Sequence, residues 1–193
     1  AAKGYEIWNK TAATERAACL RRLGDLLEDN MDEFIALCQR EAGKLYSDGV
    51  AEVREAVDFC RYYANRAEES FREGSILEGR GIFVCISPWN FPLAIFLGQV
   101  SAALAAGNAV IAKPAEQTSL VAAKAAELIL AAGVPGGAFT LLPGPGRVIG
   151  NILINDPRIA GVAFTGSTET AQVINQALAK RPGVPFQSNP VAR

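Results

Sequence analysis

Past residue 80 the chain alternates short, β-rich apolar runs with stretches of helical period, four times over, and this rhythm restricts the fold more than any other feature of the sequence. Ile82-Phe83-Val84-Cys85-Ile86 reads as a buried strand stopped by Ser87-Pro88. Leu93, Phe96, Leu97, Val100 and Leu104 then mark a helix ending near Gly107. The pair recurs as strand 109–112 with helix 119–132, strand 139–142 with a short helix 148–154, and strand 161–164 with helix 167–180. The order β-α-β-α-β-α-β-α specifies an α/β fold: a parallel sheet with right-handed crossovers and flanking helices. In such sheets ligands collect at the carboxyl ends of the strands, and every motif discussed below lies at such an end.

The first 80 residues have another character. They hold 12 of the 19 Lys/Arg and 16 of the 20 Asp/Glu, as solvated helices would. Leu20, Leu23, Leu27, Phe34 and Leu37 form an apolar stripe that predicts one helix over about 14–40, with Gly43 as its stop. Val50, Val53, Val57, Cys60 and Ala64 mark a second helix over 48–69. Both stripes read as packing surfaces. The expected organisation is a helical segment over 1–80, a sheet-centred domain over 81–180 and a tail over 181–193.

Charge and residue usage exclude several functions. A net charge of −1 gives no positive field to hold a polyanion, so no nucleic-acid partner is expected. Histidine is absent, which removes Ser-His-Asp and Cys-His mechanisms within this chain and the commonest metal ligand. No metal site is expected. Cys19, Cys38, Cys60 and Cys85 show no CxxC spacing and read as buried thiols in a reducing, cytoplasmic setting. Residues 81–112 carry no charge, yet Pro88, Pro92, Asn90, Gln99 and Gly107-Asn108 break them into strand, turn, helix and strand. No membrane span is expected there, because buried α/β strands also read as continuous apolar runs. No basic region followed by an apolar core opens the sequence, so no secretory signal is expected.

Four strand-end motifs are candidates for chemistry, each with a plainer alternative. Gly144-x-Gly146-x-x-x-Gly150 resembles a dinucleotide fingerprint but is one residue too long, and a tight strand-to-helix turn accounts for its glycines equally well. Phe164-Thr165-Gly166-Ser167-Thr168-Glu169 places a glycine and two hydroxyls at the start of a helix, whose first amides and dipole suit a pyrophosphate; simple capping by Ser167 or Thr168 is the alternative. Lys113-Pro114-Ala115-Glu116 offers an ammonium and a carboxylate to a ribose diol, or else a surface ion pair. Ser87-Pro88-Trp89-Asn90-Phe91-Pro92 is a rigid loop that could present the Asn90 amide to an oxyanion, or tie that amide to its own backbone. Cys85 sits inside an apolar strand with no cationic neighbour in sequence and reads as core, not as a nucleophile.

Taken in order, Pro-Trp-Asn-Phe-Pro, Lys-Pro-Ala-Glu-Gln-Thr, Pro-Gly-x-Gly and Phe-Thr-Gly-Ser-Thr-Glu resemble the aldehyde dehydrogenase family over about residues 1–186. The run from Phe83 to Phe96 and the upstream Ala51-Glu52-Val53-Arg54-Glu55-Ala56-Val57-Asp58-Phe59 resemble its L-glutamate γ-semialdehyde (Δ1-pyrroline-5-carboxylate) dehydrogenase branch, which also forms the C-terminal half of bifunctional proline-utilization proteins. The resemblance implies a Rossmann-like NAD-binding domain, the cofactor half of such an enzyme. It implies that Asn90 donates to the hemithioacetal oxyanion as the one catalytic candidate, that Lys113 and Glu116 hold the adenosine ribose, and that Gly166 and Ser167 meet the pyrophosphate. Ile86, Ser87, Pro88 and Trp89 would line the cofactor cleft, and Gly146 and Gly150 would border the adenine. The parent reaction would be NAD-dependent oxidation of L-glutamate γ-semialdehyde to L-glutamate in proline degradation.

After its last helix the family continues into a strand with a Glu-x-Gly-Gly pattern, which bears the general base, and later a cysteine loop. Here residues 181–193 read RPGVPFQSNPVAR. The expectation is therefore a chain without the catalytic cysteine and glutamate and without aldehyde oxidation of its own. A homo-oligomer or a second chain supplying the catalytic domain stays open, as do a non-catalytic nucleotide-binding module and an inactive interaction piece.

Overall fold

A computed structural model describes residues 1–72 and 74–191. Five strands form one parallel sheet: β1 (Ile82–Ile86), β2 (Ala109–Lys113), β3 (Phe139–Leu141), β4 (Ile159–Ser167) and β5 (Phe186–Val191). Their spatial order is β3-β2-β1-β4-β5. The chain thus runs outward from β1 through β2 to β3, then returns to the other side of β1, and the reversal opens a crevice at the carboxyl ends of β1 and β4. Register levels the ends of β1 and β2, since Ile86 pairs with Lys113, while β4 continues three residues past Phe164, the other partner of Ile86.

Successive side chains of a strand point to opposite faces, and the core divides accordingly. Cys85, Val110 and Phe139 face α5 (Ala94–Ala105) and α6 (Ser119–Ala131), whereas Val84, Ile159 and Val162 face α7 (Gly146–Asn155) and α8 (Thr168–Leu178). The four β-α pairs read from the sequence are present, with β4 longer than expected and α7 starting two residues earlier.

Three features were not anticipated. The apolar stripe over 14–40 is two helices, α2 (Ala13–Asp29) and α3 (Met31–Ala42). Asn30 separates them, its side-chain amide donating to Leu26 O at 2.8 Å, a local bond that competes with the helical ladder. Leu23 and Leu27 of α2 and Phe34 of α3 are buried in the same core, so periodicity runs across the break without registering it. A further helix, α1 (Ala2–Lys10), precedes them; it buries only Gly4 and Trp8 and shows too short a stripe to be read. The tail contributes β5, a polar strand with Pro190 that pairs with β4 at the described edge of the sheet, where proline is tolerated. A strand therefore does follow the last helix, but it carries Gln187-Ser188-Asn189-Pro190.

Helices α2, α3 and α4 (Tyr46–Ser70) cover α5 and α6, and together with α1 they satisfy backbone groups at both ends of those helices. Glu52 of α4 accepts the Leu93 and Ala94 amides that open α5, and Glu41 of α3 accepts the Leu120 and Val121 amides that open α6. At the other ends, Trp8 Nε1 and Arg16 Nε donate to Leu104 O and Ala105 O of α5, and Arg22 Nε donates to Ala132 O just past α6. Acids at the helix starts and bases at the helix ends are the arrangement that a dipole selects. Gly43 closes α3 at φ 65°, as expected of the stop.

Candidate functional site

The carboxyl ends of the strands open into a cavity of about 890 Å³. Every site residue singled out in the sequence lines it: Ile86, Ser87, Pro88, Trp89 and Asn90 after β1, Lys113 and Glu116 after β2, Gly146 and Gly150 on α7, and Gly166 and Ser167 at the end of β4. Residues separated by up to 81 positions thus share one wall, because β1 and β2 end level beside Phe164 and β4 runs three residues further, to Ser167.

Lys113 is almost fully buried, and burial lowers its ammonium pKa while the nearby Glu116 partly restores it. Among the described residues the two close no ion pair. Glu116 Oε1 instead accepts the Gly146 amide at 2.8 Å, which ties the turn after β2 to the first turn of α7. The plainer alternative of a surface salt bridge is not what forms. Ser167 does cap α8, its hydroxyl accepting the Thr170 amide at 3.2 Å, so the capping alternative is realised. The same turn, through Ser167, Glu169 and Thr170, also lines the cavity.

The three glycines of the imperfect fingerprint separate into two kinds. Gly144 adopts φ 141°, and a Cβ there would lie 2.4 Å from Ile149 Cδ1, so the turn itself demands glycine. Gly146 and Gly150 have ordinary backbone conformations. A Cβ on Gly146 would come no nearer than ordinary contact distance, 3.6 Å from Lys113 Nζ and 3.8 Å from Glu116 Oε1, and one on Gly150 would meet nothing within 4 Å. The fold does not require either glycine. Gly166 differs again, since its Cβ would lie 2.6 Å from the Phe164 ring.

The loop after β1 is fixed at both ends. Ser87 N donates to Lys113 O at 3.3 Å, and Gln99 Nε2 of α5 donates to Ile86 O at 3.2 Å and to Thr165 Oγ1 at 3.0 Å. Ser87 Oγ is buried on the cavity wall without a hydrogen-bond partner among the described residues. The Asn90 side chain makes no hydrogen bond among the described residues, so its amide is not tied to its own backbone. Trp89 is 53% exposed at the cavity edge. Thr165, Arg147 and Gln99 were not singled out from the sequence; a lone amide on the otherwise apolar Leu97-Gly98-Gln99-Val100 of α5 was the signal for the last.

The thiols stand apart from this chemistry. All four are free and buried, and burial pushes Cys38, Cys60 and Cys85 up to about 12 and raises Cys19 as well. Cys85 packs in the core, as read from the sequence. Among the described residues no cluster of ligating side chains could hold a metal, and no helix is long and apolar enough to cross a membrane.

Residues 1–188 match the aldehyde dehydrogenase family. The bifunctional protein PutA of Salmonella typhimurium is 54% identical over 175 residues, which are 91% of this chain and 13% of that protein. A 1-pyrroline-5-carboxylate dehydrogenase of Bacillus mycoides is 38% identical over 93% of this chain and 37% of its own length. The crystal structure of a 1-pyrroline-5-carboxylate dehydrogenase from Thermus with bound NAD superimposes with a TM-score of 0.94 at 32% identity, covering 100% of this chain and 41% of that one. The chain thus spans well under half the length of the relatives it matches.

Proposed function

The chain belongs to the aldehyde dehydrogenase family, and from that premise we propose that it forms the NAD-holding part of an L-glutamate γ-semialdehyde dehydrogenase, which yields L-glutamate in proline degradation. The observation that carries the reading is one cavity with polar groups left over by the fold: among the described residues the buried Ser87 hydroxyl has no partner and the Lys113 ammonium no ion pair, and two glycines are not needed by the packing. Buried polar groups without partners are costly, and a bound ligand that completes them removes the cost.

In this reading Lys113 donates to a ribose hydroxyl while Glu116, with Oε1 held by the Gly146 amide, accepts from the diol through its other oxygen. A carboxylate in that place disfavours a 2′-phosphate, hence NAD. The opening turn of α8 at Gly166 and Ser167 faces the pyrophosphate, and Gly146 and Gly150 leave a smooth wall for the adenine. NAD when bound supplies the hydride acceptor. The chain's own contribution is binding and orientation, with the Asn90 amide presented to a developing oxyanion. No thiol described here is placed to attack an aldehyde, so in this reading the nucleophile comes from outside these 193 residues.

Titration of the chain with NAD, read by Trp89 fluorescence, tests the proposal. Saturable quenching is expected, abolished or shifted at least about tenfold by Lys113→Met, a loss on the scale of one charged hydrogen bond. No response at millimolar NAD overturns it. A second reading, a nucleotide-binding module without catalysis, is favoured by the four buried thiols. NADH production from L-glutamate γ-semialdehyde by this chain alone would decide against it.

A further inference from the structure

Outside the cavity, the buried charged side chains among the described residues are Arg16, which meets helix-end carbonyls, and Glu52 of α4. The Glu52 side chain is 1% exposed. Its Oε2 accepts the Leu93 amide at 3.2 Å and the Ala94 amide at 2.9 Å, and its Oε1 lies 3.0 Å from Lys44 Nζ. These two amides are the exit of the loop that carries Asn90, and α5 has no capping side chain of its own, Leu93 standing at that position. Lys44 adds a second hold. Its ammonium sits 4.1 Å from the centre of the Phe91 ring, the residue directly after Asn90.

We propose that Glu52 and Lys44 are positioning residues that aim the Asn90 amide into the cavity by gripping the loop at Phe91, Leu93 and Ala94. A carboxylate with a 1% exposed side chain is a costly helix cap where serine or aspartate at the cap position would serve, so its use calls for a further role. The loop supplies one. Pro88 and Pro92 restrict its backbone, Ser87 anchors its entry to β2, and the Asn90 side chain has no hydrogen bond among the described residues to orient it, so its direction is inherited from its neighbours. Lys44 lies just before α4 and belongs to no strand end, which makes the pair a brace reaching in from the helical layer. This inference rests on the role of Asn90 in the proposed function, but its test does not need the cofactor.

The test uses the whole chain labelled with 15N and with 5-fluorotryptophan. The Asn90 side-chain amide signals are assigned with Asn90→Asp, and Trp89 is assigned against Trp8 with Trp89→Phe. In Lys44→Met and Glu52→Gln, the Asn90 amide and Trp89 signals are expected to broaden or split into several conformers. Exchange of the Leu93 and Ala94 amides should rise about tenfold or more in Glu52→Ala and less in Glu52→Gln, which keeps an acceptor oxygen. Unchanged Asn90 and Trp89 signals in both Lys44→Met and Glu52→Gln, even with faster exchange at Leu93 and Ala94, would reduce Glu52 to a helix cap and overturn the proposal. Should Glu52→Ala not fold, the other two variants decide alone. NAD titration of the unaltered chain judges the cofactor reading separately, so a silent titration with a disturbed loop would sink that reading and leave the brace standing.

Discussion

Gly150 stands in the interior of α7, where glycine costs roughly 1 kcal/mol relative to alanine, although a Cβ there would touch nothing within 4 Å. A glycine that the fold would gladly exchange points to something that approaches it. Gly150→Ala is therefore expected to raise the unfolding free energy by about 0.5–1 kcal/mol in urea titrations while weakening NAD binding; stabilisation with unchanged NAD affinity would return Gly150 to chance. Lys113 invites a second test. Its pKa is lowered by burial, so between the folded value and 10.5 the unfolded chain binds more protons than the native one, and native stability gains from this residue as pH rises through that window. Below it the charged ammonium opposes folding. Lys113→Met should accordingly be more stable than the unaltered chain at pH 7 and lose that advantage toward pH 10.5, with the difference between the two melting curves as the readout. NAD should abolish much of the advantage at pH 7 by engaging the ammonium. At this scale the residues of the site could be named in the sequence because their types are chemically unusual at strand ends. What could not be read was which alternative held for each, since Gly144, Gly146 and Gly150 look alike until their φ angles and neighbours are known.

Among the elements, the helical layer does more than cover the sheet. Glu41 and Glu52 meet the starts of α6 and α5, and Arg22 and Arg16 meet their ends, so each helix has an acid at its positive pole and a base at its negative pole. Arg22→Met keeps most of the aliphatic stem and removes the bond to Ala132 O; it is expected to cost about 1–2 kcal/mol by urea titration. Arg16→Met should cost more, about 2–3 kcal/mol, because Arg16 is almost fully buried and also stacks on the Phe71 ring at 5.2 Å. Hydrogen exchange should rise at the carboxyl end of α6 in the first variant and of α5 in the second. If exchange rises evenly throughout the molecule, the loss is not local to the helix ends. The β-α pairs were legible because strand runs and helical stripes differ in period and in β-branched content. Asn30 was not, because one continuous stripe feeds one continuous core. Nor was β5: Phe186-Gln187-Ser188-Asn189-Pro190 offers no alternation and contains a ladder breaker, and only pairing with β4 makes it a strand. Sequence pattern reports what an element buries, and an edge strand buries little.

On the scale of the whole molecule, the boundary near residue 80 divides charge and period but not the core. Leu23, Leu27, Phe34 and Val57 from the helical layer share one buried cluster with Phe96, Leu104, Ile129 and Phe139 from the sheet-centred part. Were residues 81–191 to stand alone, α5 and α6 would expose that face to water together with four helix termini whose partners are Trp8, Arg16, Arg22, Glu41 and Glu52. Helix α5 carries no charged side chain, and the charged side chains of α6 are Lys124 and Glu127, so the faces they bury against the helical layer are largely apolar. The unaltered chain is expected to unfold in one transition, with near-ultraviolet circular dichroism and intrinsic fluorescence coincident. A chain begun at Gly81 should keep helical far-ultraviolet signal but lose the sharp transition and bind a hydrophobic dye, the marks of a collapsed state without fixed packing. A cooperative, dye-silent melt of the shortened chain would show that the sheet and α5–α8 fold without the helical layer. In that event the helix-end contacts would be decoration on a finished domain. The cavity gives the matching functional readout: its walls come from residues 86–177 alone, yet the loop at Asn90 and the start of α5 are gripped from the helical layer. The shortened chain should therefore show no saturable Trp89 response to NAD even though it retains every residue that lines the cavity.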